Sequence, residues 1–221
     1  MPLNELGFEL LLDFISPEIA QSVIGEVDSV LLNSKGGGIR NADKKFHSIS
    51  ELASSEYLLT KAARYLSGKP SLVRAILFDK SPKNNWLVTW HQDKTIAVSA
   101  KFDIEGWGPW SLKDRVHHVQ PPISVLEDMV TFRIHLDESN EKNGCLKVIP
   151  KSHSLGLMAQ EEIYRYTEQA QAEIVEAPRL SALAMRPHIL HASSKAQEPS
   201  RRRILHLEYS SYKLPNGVNW V

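Results

Sequence analysis

The chain has 221 residues, 42% of them hydrophobic and 24% charged, and its 26 Lys and Arg balance 26 Asp and Glu. That length suffices for a single domain over 1–221 with a sizeable core. Zero net charge gives no electrostatic footprint for nucleic acid or an anionic membrane, and a lone cysteine, Cys145, excludes a framework of internal disulfides.

Met1 to Ile15 carries Glu5, Glu9 and Asp13 where a secretory leader would begin basic, so no such leader is expected. Residues 17–33 predict a helix. Ser16 can cap it, Pro17 takes the first helical position, and Ile19, Val23, Val27 and Leu31 recur at helical spacing. A polar, Gly-rich stretch, 34–43, leads to a second predicted helix over about 50–66, stopped by Gly68 and Pro70. SLVRAILF, from residue 71, is apolar and β-branched, and it runs into the turn DKSPKNN. NWLVTWH and TIAVSAKF are the next predicted strands. Residues 103–122 are rich in Gly, Trp, Pro and His without a clear period. They read as a covering loop, with His117 and His118 as lid or surface residues.

Residues 129–137 alternate. Val130, Phe132, Ile134 and Leu136 point one way, and Thr131, Arg133, His135 and Asp137 the other. An apolar face backed by Arg and His fits a barrel interior that holds a polar ligand; the exposed face of a sandwich is the alternative. CLKVIP is a further strand, with Cys145 as a packed thiol beside it. A helix is expected near 158–169, and short strands near 172–176, 181–185 and 202–210, divided by Pro178, Pro187 and Pro199. The expected fold is α+β, mainly β: an antiparallel barrel of jelly-roll type over about 70–212, with N-terminal helices (about 1–68) packed outside. No apolar run approaches the ~20 residues a bilayer helix needs. The terminal Asn219-Trp220-Val221 is no peroxisomal signal, so a cytoplasmic location is expected. Oligomeric state is not legible.

Nine histidines are present, and imidazole with carboxylate binds mid-series divalent metals. His91 and Asp93 are two apart at the end of a predicted strand, so both side chains can reach one ion. Alone, H-x-D is a weak signal. The tail RPHILHASSKAQEPSRRRILHLEYS adds two candidate third ligands, His188 and His191, followed by a run of arginines. Two histidines and a carboxylate on one face of an octahedron hold Fe(II) and leave three positions open. A 2-oxoglutarate co-substrate would take two and O2 the last. Its far carboxylate would need a fixed cation, for which a bidentate arginine is suited.

With these residues, and with FDKSPKNNWLVTWHQD, HHVQPP, RIHLDESNEKNGCLKVIPKSH and the H-A-S-S…R-R-R tail, residues 70–212 resemble the phytanoyl-CoA dioxygenase-like branch of the Fe(II)/2-oxoglutarate oxygenases. The resemblance implies a double-stranded β-helix, a cupin-like jelly roll. It implies His91, Asp93 and His191 as metal and catalytic ligands, because the distal histidine of this branch is followed by a small residue, then Ser, with the co-substrate arginine eleven positions on. From His191 those are Ala192, Ser193 and Arg202; from His188 the count lands on Pro199. Arg202 and Ser193 are thereby implied as the co-substrate site. The cofactors implied are Fe(II), 2-oxoglutarate and O2, with ascorbate as an optional reductant. The partner is a small-molecule substrate, with no nucleic acid and no membrane. Lys151 stands where the family motif P-G-S-H has glycine, which implies a differently built turn or a lysine overhanging the pocket. His153 is expected to be a structural hydrogen-bonding residue.

Alternation in the last strand places Arg202, Ile204, His206 and Glu208 on one face and Arg203, Leu205, Leu207 and Tyr209 on the other. Trp86, Thr131, Arg133 and His135 are the candidate substrate-pocket residues. Arg133 has three open roles: pairing with a substrate carboxylate, assisting the co-substrate, or neutralisation by Asp137 or Glu208. Related halogenases have a small residue at the carboxylate position, so Asp93 favours hydroxylation, or another oxidation by the same route such as desaturation, over halogenation, with release of succinate and CO2. Two rivals differ in class: a non-catalytic barrel that binds a ligand or partner, and a cupin-type metalloenzyme that uses no 2-oxoglutarate.

Overall fold

The computed structural model describes residues 2–31, 38–198 and 200–221. The chain opens with a short helix, α1 (Pro2–Leu6), and a strand, β1 (Phe8–Leu11). Neither is among the predicted elements. Four residues are too few to show a period, and β1 is fixed by pairing with a strand far along the chain. Helix α2 (Pro17–Leu31) follows, with the Ser16 hydroxyl accepting from the Ile19 N–H at 3.3 Å. The last two residues of the predicted helix, 32 and 33, lie outside the described residues. The Gly-rich connection, as far as it is described, holds a two-residue strand, β2 (Ile39–Arg40), and the start of α3 (Ala42–Lys45).

The helix predicted over 50–66 is two helices, α4 (His47–Ser54) and α5 (Glu56–Ala63). Ser55 divides them. Its backbone is extended (φ −62°, ψ 144°) and its hydroxyl accepts from the Leu58 N–H at 3.2 Å. Serine competes with the helical backbone for hydrogen bonds, so it favours a cap over a helix interior.

The β-rich part begins with β3 (Ser71–Lys80), β4 (Val88–His91) and β5 (Ile96–Val98). The segment read as a loop without period contains a hairpin, β6 (Trp110–Lys113) and β7 (Val116–Val119). Its turn is made by Asp114 and Arg115, both left-handed at φ 50° and 65°. Two successive positive φ values match the twist of a hairpin, but neither residue is the Gly or Asn that usually announces one. His118 in β7 is buried rather than at the surface, and His117 is half-buried. After α6 (Ile123–Glu127) come β8 (Met129–His135), β9 (Leu146–Val148), α7 (Gln160–Gln169), β10 (Glu173–Val175), β11 (Ala182–Met185), β12 (His191–Ser193) and β13 (Arg202–Ser210).

Two antiparallel sheets form the jelly roll. One runs β1-β11-β8-β13-β3-β2 and the other β10-β9-β12-β4; a smaller sheet, β5-β7-β6, flanks them. The alternation of β8 and β13 is realised. Val130, Phe132, Ile134, Leu205, Leu207 and Tyr209 face a core shared with Val23, Val27, Ile49 and Leu58 of the outer helices. Each large side chain buried there contributes ~1.5–3 kcal/mol. Part of the barrel interior is filled by Phe8, Leu146, Val148, Leu183 and Met185. The outer helices are also tied by charge: Arg203 on β13 donates to Asp28 of α2 at 2.9 Å and to both carboxylate oxygens of Asp137 at 2.7 Å. Asp137 lies past the end of β8, so it does not share the inward face of Arg133. No described helix is long and apolar enough to cross a membrane.

Candidate active site

Strands β4 and β12 pair so that His91 stands opposite His191, and their rings are 4.2 Å apart. Asp93 follows two residues after His91 and is anchored by its own N–H, which donates to the Pro187 carbonyl at 2.9 Å. Its Oδ1 is 3.7 Å from His91 Nε2 and its Oδ2 is 3.6 Å from His191 Nε2. Both imidazoles are oriented in the same way. His91 Nδ1 meets the Thr89 carbonyl at 2.8 Å and His191 Nδ1 meets the Ile189 carbonyl at 2.9 Å. A carbonyl only accepts, so each Nδ1 carries the proton and each Nε2 presents a lone pair to the shared space. Burial, and then the neighbouring His91, push His191 down to about 3, which keeps it the neutral base a metal needs. Burial alone would raise the Asp93 carboxyl; His191, His91, His206 and Arg74 around it hold it well below the usual range.

A second group of potential ligand atoms, on Asp93, His206 and Glu208, also lies close together. Both His206 nitrogens and one oxygen of Glu208 are already committed. Arg74 Nη2 and His206 Nε2 both donate to Glu208 Oε1, at 2.5 and 2.8 Å, and His206 Nδ1 accepts from Arg133 at 3.1 Å. A cation there would meet the Arg74 guanidinium. The His91–Asp93–His191 set has its three atoms free, and two imidazoles with one carboxylate suit a mid-series divalent ion.

These ligands open into a cavity of about 590 Å³. Away from the ligands it contains three buried cations, Lys80, Arg133 and Arg202. Lys80 Nζ donates to Ser193 Oγ at 3.1 Å and to the Ser194 carbonyl at 2.9 Å, while Ser193 Oγ donates to the Gly144 carbonyl at 2.8 Å. Arg202 is opposite Lys80 in the β13–β3 register, and its Nε is buried without a partner. Among the described residues none of the three is within salt-bridge distance of a carboxylate. Lys80 is pushed down to about 8 by burial and then by Arg202 and Arg133. Arg133 is lowered to about 10 by burial and then by Arg202. A buried cation without a counter-ion is costly unless a ligand supplies one, so this end of the cavity is shaped for an anion.

The predicted pocket residues divide. Trp86 and Arg133 line the cavity; Thr131 and His135 are buried but do not line it. His135 Nδ1 is 3.0 Å from Ser139 Oγ. Neither proposed structural partner takes Arg133: Asp137 binds Arg203 and Glu208 binds Arg74. Lys151 is exposed with φ 67°, the left-handed conformation a glycine adopts freely, so the turn keeps its shape and Lys151 does not overhang the cavity. His153 hydrogen-bonds the Asn4 carbonyl at 3.2 Å, as expected of a structural residue. Burial raises the Cys145 thiol to about 11, consistent with a packed, inert side chain. Lys80 and Arg74 went unmarked in the sequence because SLVRAILF reads as an apolar run. The available signal was that Arg74, Ile76, Phe78 and Lys80 share one strand face.

No curated protein matches the chain in sequence. Among solved structures, AviO1 from Streptomyces viridochromogenes is 17% identical with a TM-score of 0.72, over 97% of this chain and 94% of that one. The epimerase SnoN from nogalamycin biosynthesis, described as α-ketoglutarate-dependent, is 13% identical with a TM-score of 0.70, over 95% of this chain and 78% of that one. HygX from Streptomyces hygroscopicus, solved with nickel and 2-oxoglutarate, is 11% identical with a TM-score of 0.67, over 94% and 83%. These likenesses establish the shared fold. A sequence model of the family described as phytanoyl-CoA dioxygenase matches residues 4–204, including the outer helices as well as the barrel. With nine-tenths of its length inside that match, the chain belongs to the phytanoyl-CoA dioxygenase family.

Proposed function

We propose that this protein is an Fe(II)- and 2-oxoglutarate-dependent dioxygenase that hydroxylates a small molecule, with His91, Asp93 and His191 as the metal ligands. The observation that carries the reading is one cavity with two complementary ends. One end has two imidazole lone pairs and a carboxylate converging. The other has buried cations that lack a counter-ion. Arg202, Lys80 and Ser193 would hold the far carboxylate of 2-oxoglutarate. Lys80 and Arg202 supply charge, and the Gly144 carbonyl fixes the Ser193 hydroxyl. Arg133 lines the same cavity, donates to His206 at 3.1 Å and has no carboxylate partner among the described residues, so it is available to the co-substrate. This supports its role in assisting the co-substrate.

When bound, iron and 2-oxoglutarate supply the oxidising chemistry from O2, with loss of CO2 and release of succinate. The chain's own contribution is orientation. The paired strands β4 and β12 set the two imidazoles, and their carbonyl-bound Nδ1 atoms fix the tautomers. The SnoN and SnoK structures are named for an epimerase and a carbocyclase, so this reaction class includes outcomes other than hydroxylation.

Anaerobic titration with Fe(II) and then 2-oxoglutarate tests the reading, through the visible absorption band of the chelate. Saturable chelate formation, and O2-dependent succinate stimulated by one member of a metabolite panel, are expected. A protein that binds metal but forms no chelate would instead be a cupin-type metalloenzyme, and one that binds neither a non-catalytic relative.

A further inference from the structure

Resting on the proposed function, the distribution of charge in the same cavity specifies the substrate. Six lining side chains are cationic: Arg40, Arg74, Lys80, Lys113, Arg133 and Arg202. Against them the lining has one carboxylate, Asp93, and Glu208 behind it neutralises Arg74. Asp114 offsets Arg40 weakly, at 3.5 Å with both partners half in solvent. A divalent metal and a 2-oxoglutarate dianion cancel one another, so loading the site leaves the positive excess unchanged.

The cations are also separated in space. Arg74 and Lys80 are six residues apart on one extended strand, ~20 Å. The short chain of 2-oxoglutarate, held by Lys80 and Arg202 and chelating the metal, does not reach Arg74. Three cations remain beyond it. Arg40 lies opposite Ile76 on β3 and Arg74 is two residues further along that strand. Lys113 closes β6 next to Asp114, which joins the hairpin to Arg40. Arg40 beside Ile76, Arg74 on the same strand and Lys113 next to the Asp114 that meets Arg40 all line the cavity, so they share the end away from Lys80. That end adjoins the metal site, since the Glu208 carboxylate that Arg74 holds has an oxygen within 4.8 Å of Asp93. One donor there is unused: Arg74 Nε is buried without a partner among the described residues, as is the acceptor Oε2 of the adjoining Glu208.

We propose that the substrate is a small oxyanion, carrying a phosphate or carboxylate group that Arg40, Lys113 and the Nε–H of Arg74 bind on the side of the metal away from Lys80 and Arg202. The test uses protein loaded with Ni(II) and 2-oxoglutarate, a pair that does not turn over, and calorimetry with inorganic phosphate and, separately, acetate. Saturable binding of at least one probe is expected, and which of them binds identifies the group. The Arg40→Ala/Lys113→Ala double variant alters two exposed or half-exposed side chains. It should weaken that binding about tenfold or more while leaving Ni(II) and 2-oxoglutarate affinities unchanged. No saturable binding of either probe, or binding that the double variant leaves intact, overturns the proposal. Failure of the loading step itself would refute the co-substrate reading and this inference with it.

Discussion

Lys80→Met separates the two effects of one buried charge, because they have opposite signs. Lys80 is 1% exposed and its ammonium lacks a carboxylate partner among the described residues. Its depression from 10.5 to about 8 corresponds to about 3 kcal/mol against the charged form in the folded state. Its bonds to Ser193 and the Ser194 carbonyl offset part of this, at ~1.5–3 kcal/mol for a hydrogen bond to a charged group. The unliganded variant should therefore lie within about 1 kcal/mol of the wild type, or above it. Urea unfolding measures this. The lysine's folded value is depressed, so the penalty is complete below about pH 8 and fades as pH rises towards the unfolded value near 10.4. The stability difference between variant and wild type should shift accordingly over that window. With 2-oxoglutarate the result reverses. Loss of a charge-assisted contact of ~1.5–3 kcal/mol weakens binding roughly 10- to 100-fold, and the thermal stabilisation given by Ni(II) with 2-oxoglutarate shrinks. A variant that is more than about 3 kcal/mol less stable yet binds 2-oxoglutarate normally would show that Lys80 is a structural residue.

Other outcomes follow from single contacts. His191→Ala removes a ligand whose partner nitrogen is already anchored, and Ni(II) affinity by calorimetry should fall at least about a hundredfold. Ser55→Ala removes the cap dividing α4 from α5 and should cost ~1 kcal/mol in urea unfolding, with 2-oxoglutarate affinity unchanged. Gly144→Ala places a Cβ 2.5 Å from the Ser194 carbonyl at a φ of +76°. It should cost ~1–3 kcal/mol and weaken 2-oxoglutarate binding, since the Gly144 carbonyl holds Ser193. His118 and His135 are held near 4 and 3 by burial first, so the unfolded chain binds their protons more readily. Stability should then fall as pH drops from about 6.5 to 4, and His118→Gln/His135→Gln should flatten that slope.

The barrel was legible wherever a strand was long and two-faced. Residues 129–137 and 202–210 showed their apolar and polar faces in the amino-acid pattern alone, and the structure keeps those faces except at Asp137, past the end of β8. The metal ligands were a weaker reading. H-x-D is common, and only the family likeness chose His191 over His188. Elements set by distant pairing were not legible: β1 depends on β11, and the β6–β7 hairpin turns on Asp114 and Arg115 rather than on glycine. Lys80 and Arg74 were hidden because a strand whose two faces both pack looks uniformly apolar when read along the chain.

Arg202 and Arg203 are adjacent and face opposite ways, one into the cavity and one onto Asp137 and Asp28. A slip of β13 by one position would exchange them, turning the outer arginine inward and taking its fork off Asp137. The forked grip on Asp137 thus acts as a rivet driven from outside, setting the depth at which its neighbour meets the keto acid. Damage to helix α2 at Asp28 should accordingly be felt first as misaligned co-substrate, across the full thickness of the sheet.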